Sequence, residues 1–165
     1  MMRIRPYRSG DAPALAEIFY DAVHRIGRRD YSPEQCAVWA PERTAPSRYQ
    51  TRAADGRVLL VATDAADEPI AYGDLEPDGH IDHLYCRPDH VGTGVGSALV
   101  DRLETVARER GLGRLYVEAS DTAKPLFLHK GFEAVERRRF VLRGVLIHNT
   151  LMAKMLSRDN PAPAR

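Results

Sequence analysis

The sequence predicts an α/β (α+β) fold: a mixed, mainly antiparallel central sheet flanked by helices, in the order βαα(α)βββαβαββ. Three observations carry that prediction. Apolar residues recur at helical spacing in the first third of the chain and again between residues 94 and 110. Short apolar or alternating runs bounded by turn residues fill the middle and the C-terminal end. A doubly wound nucleotide fold would alternate β and α throughout, and this chain offers only one or two such units.

Arg3 to Tyr7 is expected as a first strand. Asp11 is placed as an N-cap with Pro13 in the first turn, and Leu15, Ile18, Phe19, Ala22, Val23 and Ile26 follow on one helical face. Ser32-Pro33-Glu34-Gln35 forms a capping box that opens a helix through Trp39. Pro41 and Pro46 bracket a loop, and Ser47 to Ala54 is a short helix. Strands are expected at Arg57–Thr63, Ile70–Glu76 and His80–Cys86, the last two joined as a hairpin by Pro77-Asp78-Gly79. A helix from about Gly94 to Arg110 ends at Gly111. Then come a strand Arg114–Ala119, a helix Thr122–Lys130 ended by Gly131, and strands Phe132–Leu142 and Val145–Leu156 around Arg143-Gly144. Residues 1–156 are expected as one domain, and residues 157–165 as a frayed tail.

Composition bounds the function. At 44% apolar and 28% charged residues, the chain has the make-up of a globular protein. A net charge of +1 gives no reason to expect a nucleic-acid partner. Cys36 and Cys86 are too few for a disulfide framework and suggest a reducing compartment. No apolar signal core or run of about 18 apolar residues is present, so the expected location is the cytoplasm, with no membrane partner.

The most informative stretch runs from Ile81 to Val100, where an apolar strand and an Arg87-Pro88-Asp89 bend lead into Gly92, Gly94, Gly96 and a helix. Glycines at alternate positions let the backbone approach a ligand closely, and the following helix supplies unpaired N–H groups, which together predict a phosphate or pyrophosphate site. A P-loop would end in Gly-Lys-Ser/Thr, whereas this loop ends Gly96-Ser97-Ala98. A dinucleotide fingerprint needs a third glycine where Ser97 stands.

The segment resembles the acetyl-CoA signature of the GNAT N-acetyltransferase superfamily, Gln/Arg-x-x-Gly-x-Gly/Ala, which falls on Val91-Gly92-Thr93-Gly94-Val95-Gly96. The family's Asn-x-x-Ala-x-x-x-Tyr-x-x-x-Gly-Phe falls on Ser120 to Phe132, and the element order is similar over nearly the whole chain. Tyr31 to Trp39 also resembles a segment of an uncharacterised bacterial branch. The resemblance implies acetyl-CoA as co-substrate, with main-chain groups of Leu84, Tyr85 and Cys86 pairing with the pantetheine arm. It implies that the N–H groups of Val91, Gly92, Thr93, Gly94, Val95, Gly96 and Ser97 hold the pyrophosphate, and that Ser120 and Phe127 lie on the cofactor. Three positions depart from the pattern: Val91 replaces Gln/Arg, Ser120 replaces Asn, and Phe127 replaces the Tyr that often protonates the departing thiolate. A homodimer is a family-level expectation.

Acetyl transfer needs a neutral amine. A lysine-like amine with a pKa of about 10.4 costs about 4.6 kcal/mol to deprotonate at pH 7, an α-amine only about 1 kcal/mol. By strand parity, Asp74 and Glu76 share a polar hairpin face with His80 and Asp82, while His83 points the other way. His80 and Asp82 are the candidate base and its orienting or cation-attracting partner, set against the plainer reading of a solvated hairpin face. His24, Tyr31, Trp39 and Glu76 are placed on the acceptor side, although Trp39 equally suits a core anchor. Cys86 is read as packing or pantetheine contact rather than as a nucleophile. Tyr85 and Tyr116 are substitute acids for the missing Tyr or plain strand residues, and proton delivery from solvent is the simplest account. The histidines near residue 80 lack a completing cluster, so no metal is expected. Arg137 to Arg139 reads as a solvated edge. The expected activity is transfer of acetyl to a primary amine of a small molecule or peptide. The alternatives are a catalytically silent acyl-CoA-binding module and, more weakly, metal-dependent hydrolysis at His80 and Asp82.

Overall fold

In a computed structural model of the chain, residues 1–156 are described. The expected tail, 157–165, lies outside the described residues. The sheet is split in two. β1 (Arg3–Pro6), β2 (Val58–Thr63), β3 (Pro69–Leu75) and β5 (Leu84–Cys86) form one antiparallel half, in the order β1-β2-β3-β5. The other half has the order β4-β6-β8-β7, built from β4 (His80–Ile81), β6 (Arg114–Ala119), β7 (Glu133–Leu142) and β8 (Val145–Met155). Its β4–β6 pairing is parallel, with His80 opposite Tyr116 and Ile81 opposite Val117.

The helices are α1 (Ala12–Asp21), α2 (Pro33–Trp39), α3 (Pro46–Ala54), α4 (Val95–Glu109) and α5 (Lys124–His129). Leu99, Leu103 and Ala107 of α4, with Phe127 of α5, bury against Leu60, Ile70, Leu75, Ile81, Leu115 and Met152 on one face of the sheet. On the other face Leu15, Ala16 and Ile18 of α1 and Tyr49 of α3 cover Leu59, Val61 and Tyr72. A third cluster seats Cys36 of α2, Val23 and Tyr31 against Ile147 of β8.

The capping box forms as expected: Ser32 Oγ accepts from the Gln35 N–H at 3.1 Å, and Gln35 Oε1 from the Ser32 N–H at 2.9 Å. Gly111 ends α4 with φ 72°. Four expectations are corrected. Asp11 does not cap α1. Its carboxylate accepts the Arg8 N–H at 2.8 Å and two Arg5 guanidinium bonds at 2.8 and 2.9 Å, bracing a 3₁₀ turn at Ser9–Asp11. The helical spacing to Ile26 continues, but residues Ala22–Ile26 are wound as a π-helical turn, a feature common at functional sites. Helix α5 starts at Lys124 rather than Thr122. The single strand expected over His80–Cys86 is two strands in different half-sheets.

Candidate active site

The break at Asp82-His83 has a defined cause. Asp74 of β3 is fully buried, and its Oδ1 accepts the N–H groups of both Asp82, at 2.9 Å, and His83, at 2.8 Å. Its Oδ2 accepts Arg52 at 2.7 Å and Arg57 at 2.8 Å. A side chain thus takes two backbone donors that a regular ladder would pair, and the chain crosses from one half-sheet to the other. Beyond the crossing, Arg87 N–H bonds Ile70 O and Asp74 N–H bonds His83 O. By antiparallel alternation the main-chain groups of Leu84 and Cys86 therefore face away from β3, into the gap between the half-sheets.

That gap opens onto a cavity of about 310 Å³. Leu84, Tyr85, Cys86 and Ser120 form its walls, and Val91, Gly92, Gly94, Gly96 and Ser97 form one end. The amides of Gly92, Gly94, Val95, Gly96 and Ser97 have no acceptor among the described residues, and they sit at the N-terminus of the 15-residue α4. A Cβ on Gly96 would lie 3.1 Å from Leu126 Cδ2, so the missing side chain keeps this floor open. The cavity has unpaired N–H donors at one end and an unpaired strand edge along its side.

A second cavity of about 420 Å³ lies beyond, lined by His80, Asp82, His83, Glu118, Arg138 and His148 among aromatic residues. Trp39, Tyr85 and Ser120 line both cavities, so these three mark the junction. His80 Nδ1 lies 2.8 Å from Glu76 Oε1 and His80 Nε2 lies 2.5 Å from Glu118 Oε2, with the ring stacked on Tyr116. Burial works against the charged ring, but the bonds to Glu118 and Glu76 outweigh it and raise its pKa. With both nitrogens engaged by carboxylates, the ring presents no free nitrogen to the cavity.

Asp82 is bound by Arg52 at 2.6 Å and Arg57 at 3.2 Å. Burial opposes its ionisation, yet the neighbouring cations win and hold its pKa at about 2. A carboxylate so acidic is a poor proton acceptor at neutral pH and a strong fixed charge. His83, expected to point away, also faces this cavity. Its Nδ1 pairs with the Tyr72 hydroxyl at 3.0 Å, and burial, helped by Arg52, pushes its pKa down to about 4. Its ring is neutral at pH 7. Glu76, His80 and Asp82 offer ligand atoms within 4.8 Å of one another, but Asp82 already faces two guanidinium groups that would repel a metal ion.

Other expected residues fall elsewhere. Phe127 is 1% exposed and packs on Phe132, and its neighbour Leu126 lines the donor cavity instead. Val95 is buried in the core and offers only its amide; Thr93 lies outside the lining, its hydroxyl bonded to His90 O at 2.6 Å. His24 Nε2 pairs with Ala40 O at 2.6 Å, bracing the end of α2 outside both cavities. Glu76 stands behind His80 rather than on the lining. Tyr31 lines the second cavity, but its hydroxyl donates to His148 O at 2.8 Å and accepts the Asp121 N–H at 2.9 Å. Trp39 packs on Tyr31 and lines both cavities. Sequence reasoning missed Glu118 as an acceptor-side group and Ile26 and Gly27 as donor-cavity walls. Glu118 carries a strand-parity signal, because it lies one residue pair beyond Tyr116, His80's partner.

The site is thus two joined cavities, one ended by unpaired backbone amides and the other lined by His80, Asp82, Glu118 and Arg138. Residues 28–155 match the sequence profile of the acetyltransferase (GNAT) domain. The chain is 33% identical over 151 residues to an uncharacterised N-acetyltransferase, YafP, of Escherichia coli, covering 92% of this chain and 94% of that one. It is 33% identical over 145 residues to an L-methionine sulfoximine/L-methionine sulfone acetyltransferase of Pseudomonas aeruginosa, covering 79% of each. Among solved structures, a GCN5-related N-acetyltransferase from Rhodopseudomonas palustris superimposes with TM-score 0.86 at 36% identity, over 93% of this chain and 95% of that one. The chain belongs to the GNAT acetyltransferase family and is an N-acetyltransferase. A further fold neighbour from Salmonella typhimurium, at TM-score 0.74 and 22% identity over 99% and 98% of the two chains, was solved with acetyl-CoA. Among the described residues, no helix is long and apolar enough to cross a membrane.

Proposed function

We propose that this chain transfers the acetyl group of acetyl-CoA to a primary amine of a small molecule or peptide by direct attack in a ternary complex. The observation that carries this reading is the set of unpaired amides at Gly92 and Gly94 to Ser97 beside the open edge of β5. Those amides suit a pyrophosphate, and the main chain of Leu84 and Cys86 suits the amide-bearing pantetheine arm as an added strand. Leu126 and Ile26 supply apolar contact along the arm. The Ser120 oxygen accepts the Ala123 N–H at 3.1 Å, which fixes the turn under the arm's end.

On the acceptor side, Glu118 is the carboxylate placed to attract an ammonium group, Asp82 being paired with Arg52 and Arg57, and His80 is held between two carboxylates rather than acting as the base. Neutral His83 offers only a weak acceptor. No strong base faces the chamber among the groups described above, so the acceptor is an amine of low basicity. An α-amine costs only about 1 kcal/mol to neutralise at pH 7, against about 4.6 kcal/mol for a lysine-like amine. A relative named for L-methionine sulfoximine and sulfone, both α-amino acids, supports this preference. Calorimetric titration with acetyl-CoA and CoA, followed by thiol release across a panel of α- and ε-amines, tests it. Binding with turnover of α-amines is expected. No heat with either CoA species would defeat the assignment, and binding without thiol release on any amine would favour a silent acyl-CoA-binding module.

A further inference from the structure

Phe127 leaves this chain without the hydroxyl that other family members present to the departing sulfur, and the junction of the two cavities shows a replacement. A thioester held in one cavity and an amine held in the other can meet only where the cavities join, at Trp39, Tyr85 and Ser120. Ser120 is tied to the turn at Ala123. The Trp39 ring packs beside that of Tyr85, centroids 6.3 Å apart, and its indole N–H can only donate. No acceptor among the described residues takes the Tyr85 O–H, whereas the neighbouring tyrosine hydroxyls are bonded: Tyr31 donates to His148 O, Tyr49 and Tyr72 bond each other, and Tyr116 donates to Asp78. Phe19 packs edge-on at 4.8 Å and fixes the Tyr85 ring.

The geometry points to Tyr85, oriented by Trp39, as the hydrogen-bond donor that stabilises negative charge on the departing thiolate. This inference rests on the reading of the chain as an acetyl-CoA enzyme. In the step, the amine nitrogen bonds to the acetyl carbon, the C–S bond breaks, and its electron pair stays on sulfur. The proton released by the nitrogen reaches the sulfur through solvent, giving an amide and a free thiol. Tyr85 keeps its proton throughout. Burial raises its pKa, so the O–H is present at every working pH. Trp39 is a positioning residue, acting through the hydroxyl.

The test uses CoA bound to the full chain, with ultraviolet absorbance following ionisation of its thiol against pH. A thiol of this kind titrates near about 8.5 in water. In the wild type the bound thiol should titrate at least ~1 unit lower than in Tyr85→Phe, a tenfold effect on the ionisation constant. Trp39→Phe should move it in the same direction by less. Turnover by Tyr85→Phe should fall ~10²-fold, as for loss of one oxyanion donor, with KM for acetyl-CoA within ~3-fold. CoA bound with the same thiol titration in the wild type and both variants overturns the Tyr85 assignment alone. Failure of the wild type to bind CoA overturns the acetyl-CoA reading on which it rests.

Discussion

Removing the charge of Asp74 while keeping its shape isolates the contact that splits the sheet. In Asp74→Asn the side-chain oxygen can still accept the Asp82 and His83 N–H groups, but an amide NH₂ replaces the oxygen that binds Arg52 and Arg57 at 2.7 and 2.8 Å. Two donors then face two donors in a site where Asp74 has no exposed surface. Breaking a buried ion pair from one side costs about 3–5 kcal/mol. Arg57 keeps Asp55 at 2.9 Å and Arg52 keeps Asp82 at 2.6 Å, which places the expected loss at the lower end, ~3 kcal/mol. Asp74→Ala also orphans two backbone N–H groups, at about 1–3 kcal/mol each. That would remove much of the ~5–15 kcal/mol typical of a folded domain. Urea denaturation of wild type, Asn and Ala variants gives the differences directly, and acetyl-CoA titration of the Asn variant reports the gap. If Asp74→Asn costs under ~1 kcal/mol and binds acetyl-CoA normally, the carboxylate does not hold the two half-sheets apart.

Gly96→Val should fill the donor cavity against Leu126, weakening acetyl-CoA ~10-fold or more by calorimetry, and Leu126→Ala should recover part of the loss. Glu118→Gln should raise KM for the amine ~5–10-fold while acetyl-CoA affinity holds, since Glu118 lines only the acceptor chamber of the two. The folded pKa of His83, about 4, lies below its ordinary value of 6.5, so its contribution to stability is full above about 6.5 and fades as pH falls towards 4. His83→Gln should flatten the urea midpoint between pH 7 and 4; an unchanged slope would refute the buried neutral ring. Asp82, held at about 2, contributes fully above its unfolded value near 3.9 and loses that contribution as pH falls through about 2. Asp82→Asn should therefore reduce the midpoint drop between pH 5 and 2.

Local signals placed most elements within a residue or two. The Ser32 capping box, the Gly111 stop and the Arg143-Gly144 turn, with φ values of 47° and 81°, are chemical instructions that act over a few residues. The geometry of the glycine loop was equally legible, because backbone freedom and unpaired amides follow from composition and from a helix beginning at Val95. The acceptor side was not. Parity along an unbroken His80–Cys86 strand put Asp74 on a solvated face and turned His83 away, whereas Asp74 is buried and His83 faces the chamber. Parity fails where a side chain intrudes into the ladder, and no local pattern records that Asp74 will reach residues 82 and 83.

The sequence by itself determined the element order, the glycine turn after residue 90 and the loss of the usual hydroxyl at Phe127, since each is a property of short stretches of chain. Tertiary structure decided which titratable groups share a wall. Arg52 from α3, Asp74 from β3 and Glu118 from β6 converge from distant segments, and their mutual fields set whether His80 is cation or base and whether His83 carries charge. Charge state depends on distance and burial, and those exist only once the half-sheets have packed.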